Sequence, residues 1–316
     1  MLLHKNQTEF KALISTVADY YGMKDYQIEK DYYVSLFLKH LSKIESNIKI
    51  VFKGGTSLSK CYQVIDRFSE DIDLAVAFNT TGVTQGERKK LKEMIVSTIN
   101  HLGMNFINAE EVRSRRDHNI YHAHYTNQFD AEVDMTPHIM IETIVAYQPY
   151  PCIVKQVSNY ITGYLISHGN LDILERFDLF PFEMVIQSIE RTFIDKLFAI
   201  CDYHLEGNYQ RYSRHIYDVH MIWQSKILNL EELHRIVSPV VKDRQVYGDR
   251  NLSCRPGVKP VDVLIYIIES EVYKKDYIDI TSKLINNPVL YETCIESLRT
   301  IVQSSILPLQ IRISNV

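Results

Sequence analysis

IVFKGGTSLSKCYQVIDRFSEDIDLAVAF, residues 50–78, decides how the chain is read. A β-branched and aromatic run ends in Gly54-Gly55-Thr56-Ser57, and after a short connection Asp71-Ile72-Asp73 opens a second apolar run. Side chains alternate across a strand, so Asp71 and Asp73 point to one face and Ile72 and Leu74 to the other. Two carboxylates held together on a rigid strand repel each other unless a cation sits between them. A Gly-Gly turn that opens a helix presents bare backbone N–H groups and the positive end of the helix dipole, which suits phosphate. A phosphate cradle beside metal-binding carboxylates predicts nucleotide chemistry.

The rest of the composition bounds this reading. With 316 residues, 46% of them hydrophobic and 23% charged, the chain can bury a large core and is neither fibrous nor disordered in type. No apolar run approaches the roughly 20 residues that span a bilayer. The start, MLLHKNQTEF, has Lys and Glu where a signal peptide needs an unbroken apolar core, so a cytoplasmic location is expected. Five scattered cysteines without a C-x-x-C pair speak against a zinc site or a disulfide framework. A net charge of −4 gives no general attraction to nucleic acid. Local patches at Arg113-Ser114-Arg115-Arg116 and among Lys242, Arg244, Arg250, Arg255 and Lys259 are either grips for a phosphate backbone or solvated charge. The 21 tyrosines read first as core and second as stacking surfaces for bases.

Apolar spacing predicts helices over 8–22 and 25–43, the second with Asp25 and Lys30-Asp31 on its polar face. A strand over 48–53, a helix over 56–66, a strand over 71–78 and a helix ending near His101 follow. From 104 to 158 the pattern is extended, with strand-like runs at 119–126 and 138–146. Beyond Ser158 it is mostly helical, with helices predicted over 186–205, 213–225, 230–241, 260–270 and 291–306 and a loop over 248–260. The expected fold class is α+β. A mixed sheet with flanking helices occupies 1–185, and an all-helical domain over 186–316 completes a cleft.

Strand, Gly-Gly-Thr-Ser, helix and Asp-x-Asp on the next strand together match the signature of the nucleotidyltransferase superfamily to which DNA polymerase β belongs. Nucleotidyl transfer builds negative charge on the α-phosphorus oxygens and the leaving pyrophosphate, which carboxylate-held Mg²⁺ neutralises. Mg²⁺ prefers one or two carboxylates plus phosphate oxygens, a set that Asp71 and Asp73 with a nucleotide provide. Glu132, Asp134 and Glu142 are candidates for a third carboxylate. Glu142 is favoured, because an acid inside the apolar run Ile139–Thr143 is costly without a cation or partner. Glu132 and Asp134 are the alternative, or a simple polar rim.

In the helical half, Arg191, Thr192 and Lys196 lie close together on one helix. Lys196 either reaches a triphosphate or lies on a solvated face, paired with Asp195 or Glu190; the residues alone favour the second. Arg214 and Asp218, one turn apart, can simply pair. His118, His122, His124, His215 and His220 read as structural or surface residues.

Several stretches resemble the AbiEii/AbiGii-type nucleotidyltransferase toxins of bacterial type IV toxin–antitoxin and abortive-infection systems. Ile28-Glu29-Lys30-Asp31-Tyr32-Tyr33 resembles the family's N-terminal "EKDYWV" element. Phe52 to Leu74 matches its core motif, including Arg67-Phe68-Ser69-Glu70 ahead of the aspartates. The stretch Pro137 to Glu142, followed by Val157-Ser158-Asn159-Tyr160-Ile161, is similar to its later strand acid and "SYI" segment. Arg191-Thr192 with Lys196 is similar to its third motif, and Asp218 in Arg214-His215-Ile216-Tyr217-Asp218 to its fourth. Where the family often has Lys before the strand acid, this chain has Met140 at that place.

The resemblance implies Mg²⁺- or Mn²⁺-dependent transfer of a nucleotide from an NTP to an acceptor. In characterised relatives that acceptor is the tRNA 3′ end and translation is blocked; a cognate antitoxin is usually encoded nearby. The expected roles are Asp71 and Asp73 on the metal, Gly54, Gly55, Thr56 and Ser57 on the β/γ-phosphates, and Lys196 on the triphosphate. Asp218 or Glu142 orients or deprotonates the attacking hydroxyl. Two alternatives stand beside this: transfer to a small molecule or a protein hydroxyl, and a non-catalytic adaptor for RNA or a protein partner.

Overall fold

The computed structural model describes residues 1–78, 82–130 and 138–313. The unit read from residues 50–78 lies at the centre of a seven-stranded sheet. Helices α1 (Gln7–Tyr21) and α2 (Asp25–Ser42) precede β1 (Lys49–Lys53), the short helix α3 (Gly54–Ser57) and β2 (Ile72–Ala77). Next come α4 (Gln85–His101), β3 (Asn105–Phe106), β4 (His118–His124), β5 (His138–Ile144) and β6 (Cys152–Val157). Helices α5 (Tyr160–Ser167) and α6 (Leu171–Phe177) lead into β7 (Phe182–Gln187).

The strand order is β3-β4-β5-β2-β1-β7-β6. The β2–β5 and β1–β7 pairs are parallel and the others antiparallel, so the sheet is mixed as expected. Val51 and Phe52 on β1, and Ile72 and Leu74 on β2, are fully buried. Central strands of a covered sheet must be apolar, which is why these two were legible as apolar runs.

The remaining helices are α7 (Ile189–Leu205), α8 (Arg214–Gln224), α9 (Leu230–Gln245), α10 (Pro260–Ser270), α11 (Lys274–Asp279) and α12 (Tyr291–Gln303). The chain divides into two compact units, Met1–Tyr62 with Ser69–Gln187, and Gln63–Phe68 with Ser188–Val316. In the second unit α7 is the central helix, with Phe193, Ile194, Leu197, Phe198 and Cys201 fully buried.

Three local expectations change. The helix expected over 56–66 starts at Gly54, widens to a π-helix over Leu58–Tyr62 and stops at Gln63, whose φ of +55° is left-handed. The helix expected from 186 begins at Ile189, where the Ser188 hydroxyl accepts the Arg191 N–H at 3.2 Å as an N-cap. Phe182–Gln187 is a strand instead, and Ile186 pairs with Phe52 of β1 and Ile153 of β6. Arg244, taken as part of a basic patch, is buried and bound to Asp202 and Asp195.

The largest departure is on α2. Its expected polar face is interior: Glu29, Lys30 and Asp31 are 1%, 5% and 7% exposed. Each charge has a partner. Asp31 pairs with Lys60 and accepts the Tyr160 N–H at 3.0 Å, while Lys60 also donates to Ser35 Oγ at 2.8 Å. Lys30 pairs with Glu70, the residue before Asp71. Glu29 accepts the backbone N–H groups of Gln128 at 2.7 Å and Phe129 at 3.3 Å. A hydrophobic substitute of equal volume often serves stability as well as a buried ion pair does, but removal of one partner strands the other. Asp31→Ala should therefore cost about 3–5 kcal/mol in chemical denaturation, and Asp31→Ala with Lys60→Met should recover much of it.

Burial pushes the Glu29 carboxyl up from 4.5 to about 7, against its two backbone hydrogen bonds. The folded chain then keeps a proton that the unfolded chain releases, so stability is lost as pH rises through that window. Denaturation midpoints measured from pH 4.5 to 7.5 should show this decline, and Glu29→Gln should flatten it.

Candidate active site

Register builds the first constellation. Lys53 on β1 lies opposite Asp73 on β2, and Asp73 lies opposite Glu142 on β5. Directly opposed residues share a face, so the three side chains stand in a row across three strands. Asp71 immediately precedes β2 and is half-buried. His118 Nε2 on β4 lies 2.7 Å from Glu142 Oε1. Burial raises the Glu142 carboxyl, but His118, through its hydrogen bond and charge, outweighs that with help from Lys53. The group stays below the ordinary carboxylate range.

Gly54 has a φ of +77°, and a Cβ built on it would lie 1.8 Å from Asp73 Oδ2. The Asp73 carboxylate thus rests on the bare backbone of the turn, and only glycine leaves it that room. The hydroxyls beside it are committed. Ser57 Oγ donates to Gly54 O at 2.8 Å, and Thr56 Oγ1 lies 2.9 Å from Ser69 Oγ. Both residues are fully buried, so neither presents its hydroxyl to a phosphate.

The second constellation lies in the helical unit. Asp218 is fully buried and takes Arg67 Nε and Nη2 at 2.7 Å each and Lys196 Nζ at 2.6 Å. Burial would raise its carboxyl, yet the Arg67 and Lys196 charges hold it far below the ordinary range. Burial lowers Lys196 against the pull of Asp218. Lys196 is therefore not on a solvated face, and it pairs with Asp218. Asp195 instead pairs with Arg191 at 3.0 Å and Arg244 at 3.6 Å. The Asp218 partners are Arg67 and Lys196 rather than Arg214 one turn away. Arg67 belongs to a clamped segment. The Asp66 N–H donates to Tyr217 Oη at 3.1 Å, and the Asp66 carboxylate accepts Asn286 Nδ2 at 2.9 Å and the Asn287 N–H at 3.1 Å.

Of the predicted site residues, the structure brings Asp73, Glu142 and Gly54 together, and Lys196 with Asp218. Glu132 and Asp134 lie outside the described residues. Sequence reading missed Lys53, His118 and Arg67 as site neighbours. Arg67 had a signal, its place in the Arg-Phe-Ser-Glu string before the aspartates; the other two depend on strand register. Among the described residues no group of three or more His, Cys, Asp or Glu is arranged to hold a metal ion. Two adjacent carboxylates are a hard-oxygen set that fits Mg²⁺ or Mn²⁺, which complete their shells with water and substrate phosphate.

A glycine turn and an acid-bearing strand on a mixed sheet, followed by a helical unit, define a nucleotidyltransferase core. Residues 36–292 match the nucleotidyl transferase AbiEii toxins of type IV toxin–antitoxin systems, and the chain belongs to that family of nucleotidyltransferases. The resemblance drawn from its motifs holds. No curated protein matches the chain in sequence. The fold is similar to that of MenT4, a nucleotidyltransferase toxin from Mycobacterium tuberculosis H37Rv, with a TM-score of 0.54 and 16% identity. That match covers 92% of this chain and 88% of MenT4. Among the described residues no helix is long and apolar enough to cross a membrane.

Gly54→Ala tests the turn. The new methyl group must displace the Asp73 carboxylate, and a displacement of about 1 Å in a reacting constellation costs on the order of 10²-fold in rate. NTP turnover should fall by that order while the thermal unfolding transition stays cooperative.

Proposed function

We propose that this chain moves a nucleotide from an NTP to an RNA hydroxyl, the tRNA 3′ end, in the cytoplasm, and that a cognate antitoxin restrains it. The observation that carries the reading is the Asp73–Glu142 pair, set side by side on parallel strands with Asp73 against the Gly54 backbone. Asp71 and Asp73 hold Mg²⁺ or Mn²⁺ in this reading. The bound ion supplies charge neutralisation at the phosphoryl oxygens and the leaving pyrophosphate.

The chain's own groups do the rest. Backbone N–H groups of the Gly54-Gly55 turn, at the head of the Gly54–Ser57 helix, bind the β/γ-phosphates. The acceptor oxygen forms its bond to the α-phosphorus as the α–β bridging bond breaks. Glu142, kept ionised by His118 and Lys53, takes the proton of the attacking hydroxyl. Asp218 does not suit that task, because it is wholly enclosed and engaged by two cations. Lys196, Asp218 and Arg67 form one buried charge-paired group in the helical unit, two cations to one anion.

Purified protein incubated with each α-labelled NTP and total RNA tests this directly. Label should appear on tRNA with the wild type, and Asp71→Ala with Asp73→Ala should abolish both labelling and growth arrest while leaving a folded protein. Label on protein or on a small molecule, or labelling by the double variant, would contradict it.

A further inference from the structure

We infer that His118 is a positioning residue for the reaction, which locks the Glu142 carboxylate in the orientation that receives the acceptor proton. The inference rests on the role proposed for Glu142. An ionised carboxylate only accepts hydrogen bonds, so the 2.7 Å contact requires His118 to carry its proton on Nε2 and donate it to Oε1.

The placement follows from the sheet. β4 pairs with β5 over seven register positions, and Ile120 lies opposite Glu142. His118, two residues along the same face, is the diagonal neighbour of Glu142, within reach of a long side chain. In the strand order β4-β5-β2, Glu142 stands between His118 on one side and Asp73 on the other.

A glutamate left to itself in that place would be poorly directed. Its side chain has three rotatable torsions, and the neighbouring Asp73 carboxylate is a like charge whenever both are ionised. One oxygen pinned by an imidazole fixes the plane of the carboxylate. Ligand-orienting residues of this kind are typically worth about 10–100-fold.

The backbone that carries His118 is fixed residue by residue. The Asp117 carboxylate pairs with Arg88, and Asp117 O accepts the Val145 N–H at 2.9 Å, which ties the start of β4 to the residue after β5. Asn119 bridges Arg113, accepting its N–H at 2.9 Å and donating to its O at 3.0 Å. The His118 imidazole is 44% exposed, yet the residues on both its flanks are held and its ring is aimed at a half-buried acid.

The test compares His118→Ala, His118→Gln and Glu142→Gln by initial rates over a range of NTP concentrations with total RNA as acceptor. Glutamine presents an amide N–H in place of the Nε2–H. His118→Ala should lower kcat by about 10–100-fold with KM for the NTP little changed, and His118→Gln should restore most of the loss. A crystal structure of His118→Ala should show the Glu142 carboxylate turned from its wild-type plane. Wild-type kcat in His118→Ala beside an inactive Glu142→Gln overturns the inference and spares the function. Equal losses in His118→Ala and His118→Gln also overturn it, since the ring would then act on substrate itself. Full activity in Glu142→Gln removes both the inference and the role of Glu142.

Discussion

Carboxylates brought side by side set the terms for this structure. Asp73 and Glu142 sit opposite each other on parallel strands, and like charges at that spacing are unfavourable without compensation. The compensation comes from every side. Lys53 flanks Asp73 on β1, His118 binds Glu142 from β4, and the turn gives up a Cβ at Gly54 so that Asp73 can lie against backbone. Such an arrangement gains nothing for stability by itself. Its sense is chemical under the proposed function, which assigns a cation and a phosphate to this place.

The same logic recurs away from the strand acids. The Glu29-Lys30-Asp31 run and the Arg67–Asp218–Lys196 group are both charges taken out of water and matched inside the protein. Buried pairs of this type contribute little net stability over apolar residues but penalise any misplacement heavily. Lys30 acts on the residue before Asp71, and Arg67 lies only a few residues earlier. The connection from α3 to β2 is thus gripped at Asp66, Arg67, Ser69 and Glu70. A loop that delivers two aspartates is fixed almost residue by residue.

Much of this was legible in the chain because it is local. The turn, the acids on the next strand and the acid inside the apolar run Ile139–Thr143 all announce themselves by residue type and alternation. The partners were not legible, because register joins Lys53, Asp73, Glu142 and His118 across four strands that no short window spans. Lys30 and Asp31 looked like a solvated face for the same reason: Lys60, the partner of Asp31, is 29 residues away. β7 was hidden because a short, buried apolar run beside a helix has no period of its own. The helix start at Ser188 was nonetheless there to be read in its capping hydroxyl.

The segment Gln63–Phe68 carries one more consequence. By its contacts it belongs with Ser188–Val316, although the chain on both sides of it belongs to the sheet unit. The polypeptide therefore passes from one unit to the other three times, at 62/63, 68/69 and 187/188. A single cut at 187 would leave the helices without Arg67, and Asp218 would be enclosed with Lys196 alone. The helical unit is not a module in the genetic sense. Any transplant of it has to carry two separate stretches of sequence, Gln63–Phe68 and Ser188–Val316.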